Sequence, residues 1–309
     1  MKESKRRPFV DWRFIDRTLY GIERALEAVR LLEFGSKTKW GSIRARTYQP
    51  ARRAAGFFSQ LTTTLCDLVA SDVAVNRIVA REAFEAYRIY PGRDVWEEFF
   101  SRPTHASGQR SGTPQRRFVS AAPSHHGDYS RINFSSLQPY LSGFFRPSSR
   151  VMRRQSDFLR SYGLQLKDLI AVNIRGTDKH KEVEAAPVDL WLQLTKRAMR
   201  LNPSAQLLLV SDQAQFIESF RKQFGDRVIT LNELPTSRQT RSPIHRFLKR
   251  SERLQFAVDF LAAVQIMASA KVLITHTGNV AFWTVLFRAN VRGVAQVREE
   301  IVFDLIDEA

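Results

Sequence analysis

The fold expected for this chain follows from one short stretch, Leu169-Ile170-Ala171-Val172-Asn173-Ile174-Arg175-Gly176. Its first six residues form a short apolar run, which is typical of a strand buried on both faces of a parallel sheet. An arginine and a glycine follow at once. Because parallel sheets bind ligands at the carboxyl ends of their strands, chemistry is expected at this end of the strand.

The remainder of the second half alternates strands with helices. Further strands are predicted over 206–211, 227–231, 271–275 and 291–297, the last of the sheet, and helices over 188–201, 213–224, 253–269 and 279–289. This alternation predicts right-handed βαβ units and an α/β fold with a Rossmann-like parallel sheet flanked by helices.

The first half has a different pattern. Helices are predicted over 12–34 and 54–70, a strand over 73–80, and an aromatic helical turn over 96–100. Residues 101–131 are rich in Ser, Pro, Gly, His and Arg and lack an apolar period, which indicates a long loop. The contrast between the halves predicts two domains, 1–150 and 151–309.

Composition limits the class of protein. The chain has 309 residues and a net charge of +17, which favours anionic partners. A phosphorylated ligand, an anionic membrane surface and nucleic acid are the alternatives, but no aromatic-interleaved or zinc-finger pattern supports nucleic acid. One cysteine excludes an intrachain disulfide, and no apolar run approaches the ~18 residues of a membrane span. We therefore expect a cytoplasmic protein with reduced thiols.

Polar residues follow three of the predicted strands. Asn173 and Arg175 alternate along the first, so they point the same way, and arginine suits bidentate phosphate binding. The other two ends carry Ser211-Asp212 and Thr275-His276-Thr277-Gly278-Asn279, the latter opening a helix whose N–H groups and hydroxyls favour an anion. Each end is also compatible with an ordinary turn or helix cap.

Asp259 lies in a predicted helix that is apolar almost all round. A buried carboxylate needs a dedicated partner, because an unpaired one costs several kcal/mol. That partner is either internal, such as Arg175, or a ligand donor such as the N–H edge of guanine.

Several common motifs do not occur in the sequence. There is no Gly-x-Gly-x-x-Gly after a strand, no Walker A loop and no Asp-x-Asp, and the histidines show no ligand spacing apart from His125-His126. The sequence therefore predicts no metal site and no bound cofactor, with phosphate held by basic side chains and helix termini.

The quoted strand end resembles the first signature of the α1,6-fucosyltransferases, relatives of the protein O-fucosyltransferases. Asn173-Ile174-Arg175-Gly176-Thr177-Asp178-Lys179, followed by Glu184-Ala185-Ala186, is similar to a family pattern of roughly His-Val-Arg-Arg-Thr-Asp-Lys with Glu-Ala-Ala shortly after. The resemblance covers about residues 95–290 and continues, in order, through the stretches Leu209–Asp212, Val258–Phe260 and Thr275–Val280.

This resemblance implies a GT-B-like fold of two Rossmann-like domains and inverting transfer of fucose from GDP-fucose without a metal. The first domain, 1–150, would then contact a glycan-type acceptor. Arg175 matches the arginine on the β-phosphate, Asp259 the aspartate near guanine and Thr277 a phosphate-binding residue. The donor site implied by the resemblance and the strand ends comprises Asn173, Arg175, Asp178, Ser211, Asp212, Asp259, Thr277, Gly278 and Asn279.

The catalytic residues implied by the resemblance are Glu184 as base, with Arg175 and Lys179 stabilising the departing GDP. Glu182 is a rival base because the spacing from Asp178 is one residue longer than in the family. Asn173 stands where the family has a histidine, which makes the preference for a particular nucleobase less specific. Gly176 stands where the family has a second arginine, which makes the identity of the donor less specific. The alternatives are a non-catalytic nucleotide- or glycan-binding protein of this fold and a basic anion- or nucleic-acid-binding protein.

Overall fold

The computed structural model describes residues 42–44, 47–50, 56–70, 75–81, 83–87, 94–102, 126–176, 186–238 and 248–309. The predicted helix over 12–34 and most of the predicted loop over 101–131 lie outside these residues. Within the described residues, no helix is long and apolar enough to cross a membrane.

A six-stranded sheet carries the second half of the chain. Its strands are β4 (Leu169–Ile174), β5 (Gln206–Ser211), β6 (Val228–Ile229), β7 (Val272–His276), β8 (Val294–Val297) and β9 (Ile301–Asp304). They lie in the order β6-β5-β4-β7-β8-β9. All neighbours are parallel except β9, which runs antiparallel to β8. The α/β class and the parallel sheet are confirmed.

Eight α-helices occur in the described residues. They are α1 (Phe57–Ala70), α2 (Trp96–Phe99), α3 (Phe134–Phe144), α4 (Ser149–Ser161), α5 (Val188–Leu201), α6 (Ala214–Phe224), α7 (Arg250–Ala268) and α8 (Asn279–Arg288). A second sheet of three short strands, β1 (Ser42–Arg44), β2 (Thr47–Gln49) and β3 (Arg77–Ile78), lies in the first half.

Buried residues pack on both faces of the large sheet. Leu169 and Ala171 of β4 face a core formed with α1, α4, α7 and α8. Ile170, Val172 and Ile174 face a smaller core formed with α5 and α6. The aromatic turn predicted at residues 96–100 is confirmed, because Trp96, Phe99 and Phe100 are all buried in the first core.

The first core also includes buried residues from both sides of residue 150, among them Tyr48, Leu61 and Trp283. Gly41–Ala309 form one compact unit. The division of function between 1–150 and 151–309 stays a prediction.

The structure corrects several predicted elements. The strand over 291–297 is not the last, because Ile301–Asp304 adds an antiparallel edge strand beyond it. Of the strand expected over 73–80, the described residues 75–80 form a strand only at Arg77–Ile78. The strand expected over 227–231 is limited to Val228–Ile229. Helices α3 and α4 were not predicted. Only Val151 and Phe158 of α4 are buried, so its apolar stripe is too narrow to stand out among its arginines.

Candidate functional site

The order of the sheet creates a crevice between β4 and β7. From β4 the chain moves outward through β5 and β6, and it then returns to place β7 on the other side of β4. Adjacent strands whose connections leave in opposite directions form a topological switch point, where open α/β sheets bind their ligands. The site predicted at the end of β4 therefore lies at this crevice.

Buried polar side chains cross the sheet in a row at this point. Asn173 pairs in register with Thr275, which pairs in turn with Gln296. All three are almost fully buried. Asn173 Nδ2 donates to Thr275 Oγ1 at 3.3 Å, and no described residue donates to Asn173 Oδ1.

Arg175 leaves the end of β4 beside Asp212. Its Nε lies 4.0 Å from Asp212 Oδ2, and 27% of its side chain is exposed. Asp212 Oδ1 accepts the backbone N–H of Gly176 at 2.8 Å. Asp212 therefore fixes the backbone that follows Arg175 and holds the guanidinium loosely, so it is a positioning residue for Arg175.

Ser211 lies just before Asp212, but its hydroxyl is used locally. Ser211 Oγ accepts the N–H of Gln213 at 3.1 Å, which stabilises the turn into α6. Ser211 also lines a cleft of about 310 Å³ between α6 and the ends of β5 and β6. That cleft includes Arg221 and Thr230 but neither Asn173 nor Arg175.

The end of β7 is more enclosed than the sequence suggested. Thr277 Oγ1 donates to the carbonyl of Val297 at 3.2 Å and accepts from Gln296 Nε2 at 3.0 Å. The Gly278 N–H donates to the Tyr129 hydroxyl at 2.9 Å. Asn279 Oδ1 accepts the Thr62 hydroxyl at 2.7 Å. Protein groups therefore occupy much of the expected anion site, and an anion here would rely on N–H groups beyond Gly278.

The segment that includes Tyr129 is hydrogen-bonded to Gln296 of β8. Gln296 Oε1 accepts the Tyr129 N–H at 2.8 Å, and Gln296 Nε2 donates to the Gly127 carbonyl at 2.8 Å. Burial raises the pKa of Tyr129 well above its usual value. The hydroxyl thus stays neutral and able to donate.

Asp259 has an internal partner, and it is not Arg175. Its Oδ1 accepts Arg154 Nε at 2.6 Å and Gln255 Nε2 at 2.7 Å. Arg154 also forms an ion pair with Glu233, in which Nη2 lies 3.2 Å from Oε1. Burial raises the pKa of Asp259, and the hydrogen bonds from Arg154 and Gln255 only partly oppose this effect. Arg154 replaces Arg175 as the partner because α4 packs along α7.

The arginines of α4 are largely paired within the chain. Arg150 bonds Glu98 at 2.6 Å, and Arg160 bonds Asp157 at 2.7 Å. Together with Arg154, they are three of the four arginines of α4. Their charges serve internal contacts, which weakens the case for an anion-binding surface on this helix.

Sequence reasoning missed Tyr129, Gln296 and Arg154. A glutamine within the apolar run Val294-Ala295-Gln296-Val297 was a usable signal, because a buried amide needs hydrogen-bond partners. Tyr129 carries no such signal in its polar loop. Asp178, Lys179, Glu182 and Glu184 lie outside the described residues.

Comparison with solved structures identifies the architecture. The fucosyltransferase NodZ from Bradyrhizobium matches with a TM-score of 0.51 over 85% of this chain and 99% of that chain, at 13% identity. The chain has the NodZ fold. NodZ α1,6-fucosyltransferase co-crystallised with GDP matches with a TM-score of 0.50 over 83% of this chain and 96% of that chain. The same enzyme soaked with GDP-fucose matches equally well, over 82% and 95%. Both matches are also 13% identical.

No family model matches the sequence, and no curated protein matches it either. The likeness to NodZ is therefore one of fold, carried by the whole length of the NodZ chain. It agrees with the resemblance that the strand-end motif suggested.

Proposed function

We propose that this chain is a glycosyltransferase that transfers fucose from GDP-fucose to a hydroxyl of a glycan-type acceptor. One observation carries the proposal: Asn173 and Arg175 lie at the end of β4, at the switch point of a sheet whose fold matches an enzyme co-crystallised with GDP and soaked with GDP-fucose. The GT-B-like pairing of two Rossmann-like domains and the inverting, metal-independent chemistry belong to the same proposal.

In the proposed reaction the acceptor oxygen attacks C1 of fucose as the C1–O bond to GDP breaks. The electron pair of that bond moves to the β-phosphate oxygen, where Arg175 and Lys179 stabilise the new charge. A preorganised cation is most effective where charge develops in the transition state. The acceptor proton passes to a carboxylate, Glu184.

In this proposal, Asn173 and Asp259 both accept hydrogen bonds from the guanine base of the donor. Because Asp259 Oδ1 already accepts Arg154 and Gln255, a guanine would have to use Oδ2. Asn173 Oδ1 offers a second acceptor for a base N–H. Preference for GDP over ADP and UDP is therefore the first property to measure.

The test combines binding with turnover. Thermal shift with GDP, GDP-fucose, ADP and UDP is run with and without a chelator, since a ligand of the native state raises the melting temperature with concentration. We expect GDP and GDP-fucose to stabilise in both conditions and glycan acceptors to yield fucosylated product. A metal requirement or preference for UDP would contradict the donor assignment.

Two outcomes would favour the alternatives. Binding of GDP without donor hydrolysis or transfer would indicate a non-catalytic nucleotide-binding protein. Salt-dependent binding to nucleic acid that GDP does not displace would indicate a basic nucleic-acid-binding protein.

A matched pair of variants, Glu184→Gln and Glu182→Gln, tests which residue is the catalytic base. The variant that lacks the base should lose transfer by about 10²–10⁴-fold while it still binds GDP. The other should retain transfer. Equal activity of both variants would remove this segment from the proton transfer.

A further inference from the structure

The side chain of Gln213 fills the space that Gly176 leaves open at the end of β4. A Cβ added to Gly176 would lie 1.9 Å from Gln213 Oε1 and 2.5 Å from Gln213 Cδ. The carboxamide of Gln213 therefore packs directly against the backbone that follows Arg175. Glycine permits this close approach because it has no side chain. The fucosyltransferase pattern has an arginine at this position, so an uncharged amide lies here where the family has a guanidinium.

The amide of Gln213 is buried and uncommitted. Only 8% of the residue is exposed, and no described residue forms a hydrogen bond with its side chain. Gln213 is the N-cap of α6, yet its side chain caps no N–H of that helix. A carboxamide has two N–H donors and one oxygen acceptor, and buried groups of this kind are nearly always hydrogen-bonded. The missing partner is therefore expected to be a ligand.

Main-chain hydrogen bonds hold Gln213 in place. The Ser237 N–H donates to the carbonyl of Asp212 at 2.9 Å, and the Ala214 N–H donates to the carbonyl of Ser237 at 3.1 Å. Position 213 lies between these two bonds, in a parallel bridge with Ser237. The Gly176 N–H donates to Asp212 Oδ1 at 2.8 Å, which joins the end of β4 to the same arrangement. A fixed backbone preorganises the amide for a ligand.

The position of the amide along β4 indicates which part of a sugar nucleotide it meets. Asn173, Arg175 and Gly176 follow one another toward the carboxyl end of the strand. In the proposed function, Asn173 binds the base and Arg175 binds the β-phosphate. The group that follows the β-phosphate in a sugar nucleotide is the sugar. The amide that packs on Gly176 therefore lies where the sugar of the donor is expected.

The chemistry of the amide favours a hydroxyl over a phosphate. A phosphate oxygen can only accept hydrogen bonds, so it would leave the amide oxygen of Gln213 without a partner beside a negative charge. A sugar hydroxyl both donates and accepts, as the carboxamide does. A hydroxyl therefore matches this neutral side chain, whereas a phosphate matches the guanidinium of Arg175.

We propose that Gln213 binds a hydroxyl group of the donor's sugar and contributes to the selection of the donor. The inference rests on the proposed function and adds a specificity-determining residue to it. Arg175, at the end of β4, binds the phosphate, and Gln213, just beyond the end of β5, binds the sugar.

The experiment measures the affinities of GDP and GDP-fucose by calorimetry, without acceptor, for wild type, Gln213→Leu and Gln213→Met. Loss of one uncharged hydrogen bond typically weakens binding about 2- to 10-fold. We expect that loss for GDP-fucose and an unchanged affinity for GDP, which lacks the fucose. The matched control is Gln215→Leu, because Gln215 is an exposed glutamine whose amide donates to the carbonyl of Arg238 at 3.1 Å. The control should bind both ligands as wild type does.

The failures of the two proposals differ. Wild type that binds neither GDP nor GDP-fucose would overturn the proposed function and this inference together. Folded Gln213 variants that bind GDP-fucose as wild type does, or that lose GDP and GDP-fucose equally, would overturn the inference alone, because the amide would then not contact the sugar.

Two further measurements complete the test. A higher KM for the acceptor with unchanged affinity for GDP-fucose would assign the amide to the acceptor and overturn the inference. Melting temperatures identify a variant that fails to fold, in which case the other Gln213 variant decides. Failure of both to fold would show that the amide serves the fold, which would also overturn the inference.

Discussion

The hydroxyl of Tyr129 lies 2.9 Å from the amide nitrogen of Gly278 and 3.0 Å from the carbonyl oxygen of the same residue. It accepts from the first and donates to the second, so one side chain satisfies both backbone groups of a glycine at φ 153°. That glycine joins β7 to α8. Tyr129 therefore fixes the turn that carries the end of β7 into the helix bordering the crevice.

Tyr129→Phe should destabilise the protein by about 1–3 kcal/mol, because it leaves the buried N–H of Gly278 without its partner, whereas the Gly278 carbonyl still accepts the N–H of Phe282 at 2.8 Å. The matched control is Tyr140→Phe, whose half-buried ring is on α3 and whose hydroxyl bonds no described residue. Urea denaturation of both variants measures the difference. Equal stabilities would show that water replaces the Tyr129 hydroxyl.

Arg175→Ala should lower the rate of transfer or donor hydrolysis by about 10²–10³-fold at saturating donor. Arg175→Lys should recover little, since the bidentate fork is lost. Melting temperatures should stay near that of wild type, because 27% of the Arg175 side chain is exposed and the residue lies outside the two hydrophobic cores.

The control for Arg175 is Arg221→Ala, which alters the cleft between α6 and the ends of β5 and β6. It should leave the rate unchanged. The reverse pattern, with Arg221 essential and Arg175 dispensable, would move the donor site into that cleft.

Gly176→Ala should destabilise the protein by about 0.5–1.5 kcal/mol, because the added Cβ overlaps the amide end of the flexible Gln213 side chain and forces it into another conformation. Adding Gln213→Ala should recover most of the loss, and a double-mutant cycle measures the coupling. In contrast, Gly143→Ala on α3 meets nothing within 4 Å and should stabilise slightly, by up to about 1 kcal/mol. Additive effects of the 176 and 213 changes would contradict the overlap.

Asp259 predicts a pH dependence of stability. Its pKa is raised in the folded protein above 3.8, so the folded state holds the proton more tightly than the unfolded state. The free energy of unfolding should therefore fall as pH rises from about 3.8 through the folded pKa, and this component should be constant above it.

The test compares urea denaturation of wild type and Asp259→Asn across pH. Their difference in stability should change only in that acidic window and be constant at neutral pH. Asp157→Asn, which removes the exposed partner of Arg160, controls for loss of a charge. A difference that rises with pH in favour of wild type would reverse the sign and contradict the raised pKa.

Local pattern was enough to predict much of the sheet. The bounds of β4, β5 and α5 are those expected from the sequence, because an apolar run or a 3.6-residue stripe is complete within one element. The same holds for the polar residues at the strand ends, since parallel strands bring their carboxyl ends to one edge. Residue order alone therefore placed Asn173, Arg175 and Asp212 at a common edge.

Partners distant in sequence were decided only by the tertiary structure. Asp259 could have met Arg175 or a ligand, and it meets Arg154 because α4 packs along α7. Tyr129 reaches Gly278 across 149 positions from a loop with no periodic pattern. Gln213 fills the space at Gly176 because the end of β4 lies beside the start of α6. Such contacts depend on how whole elements pack against each other, and the residues within a single element do not specify that packing.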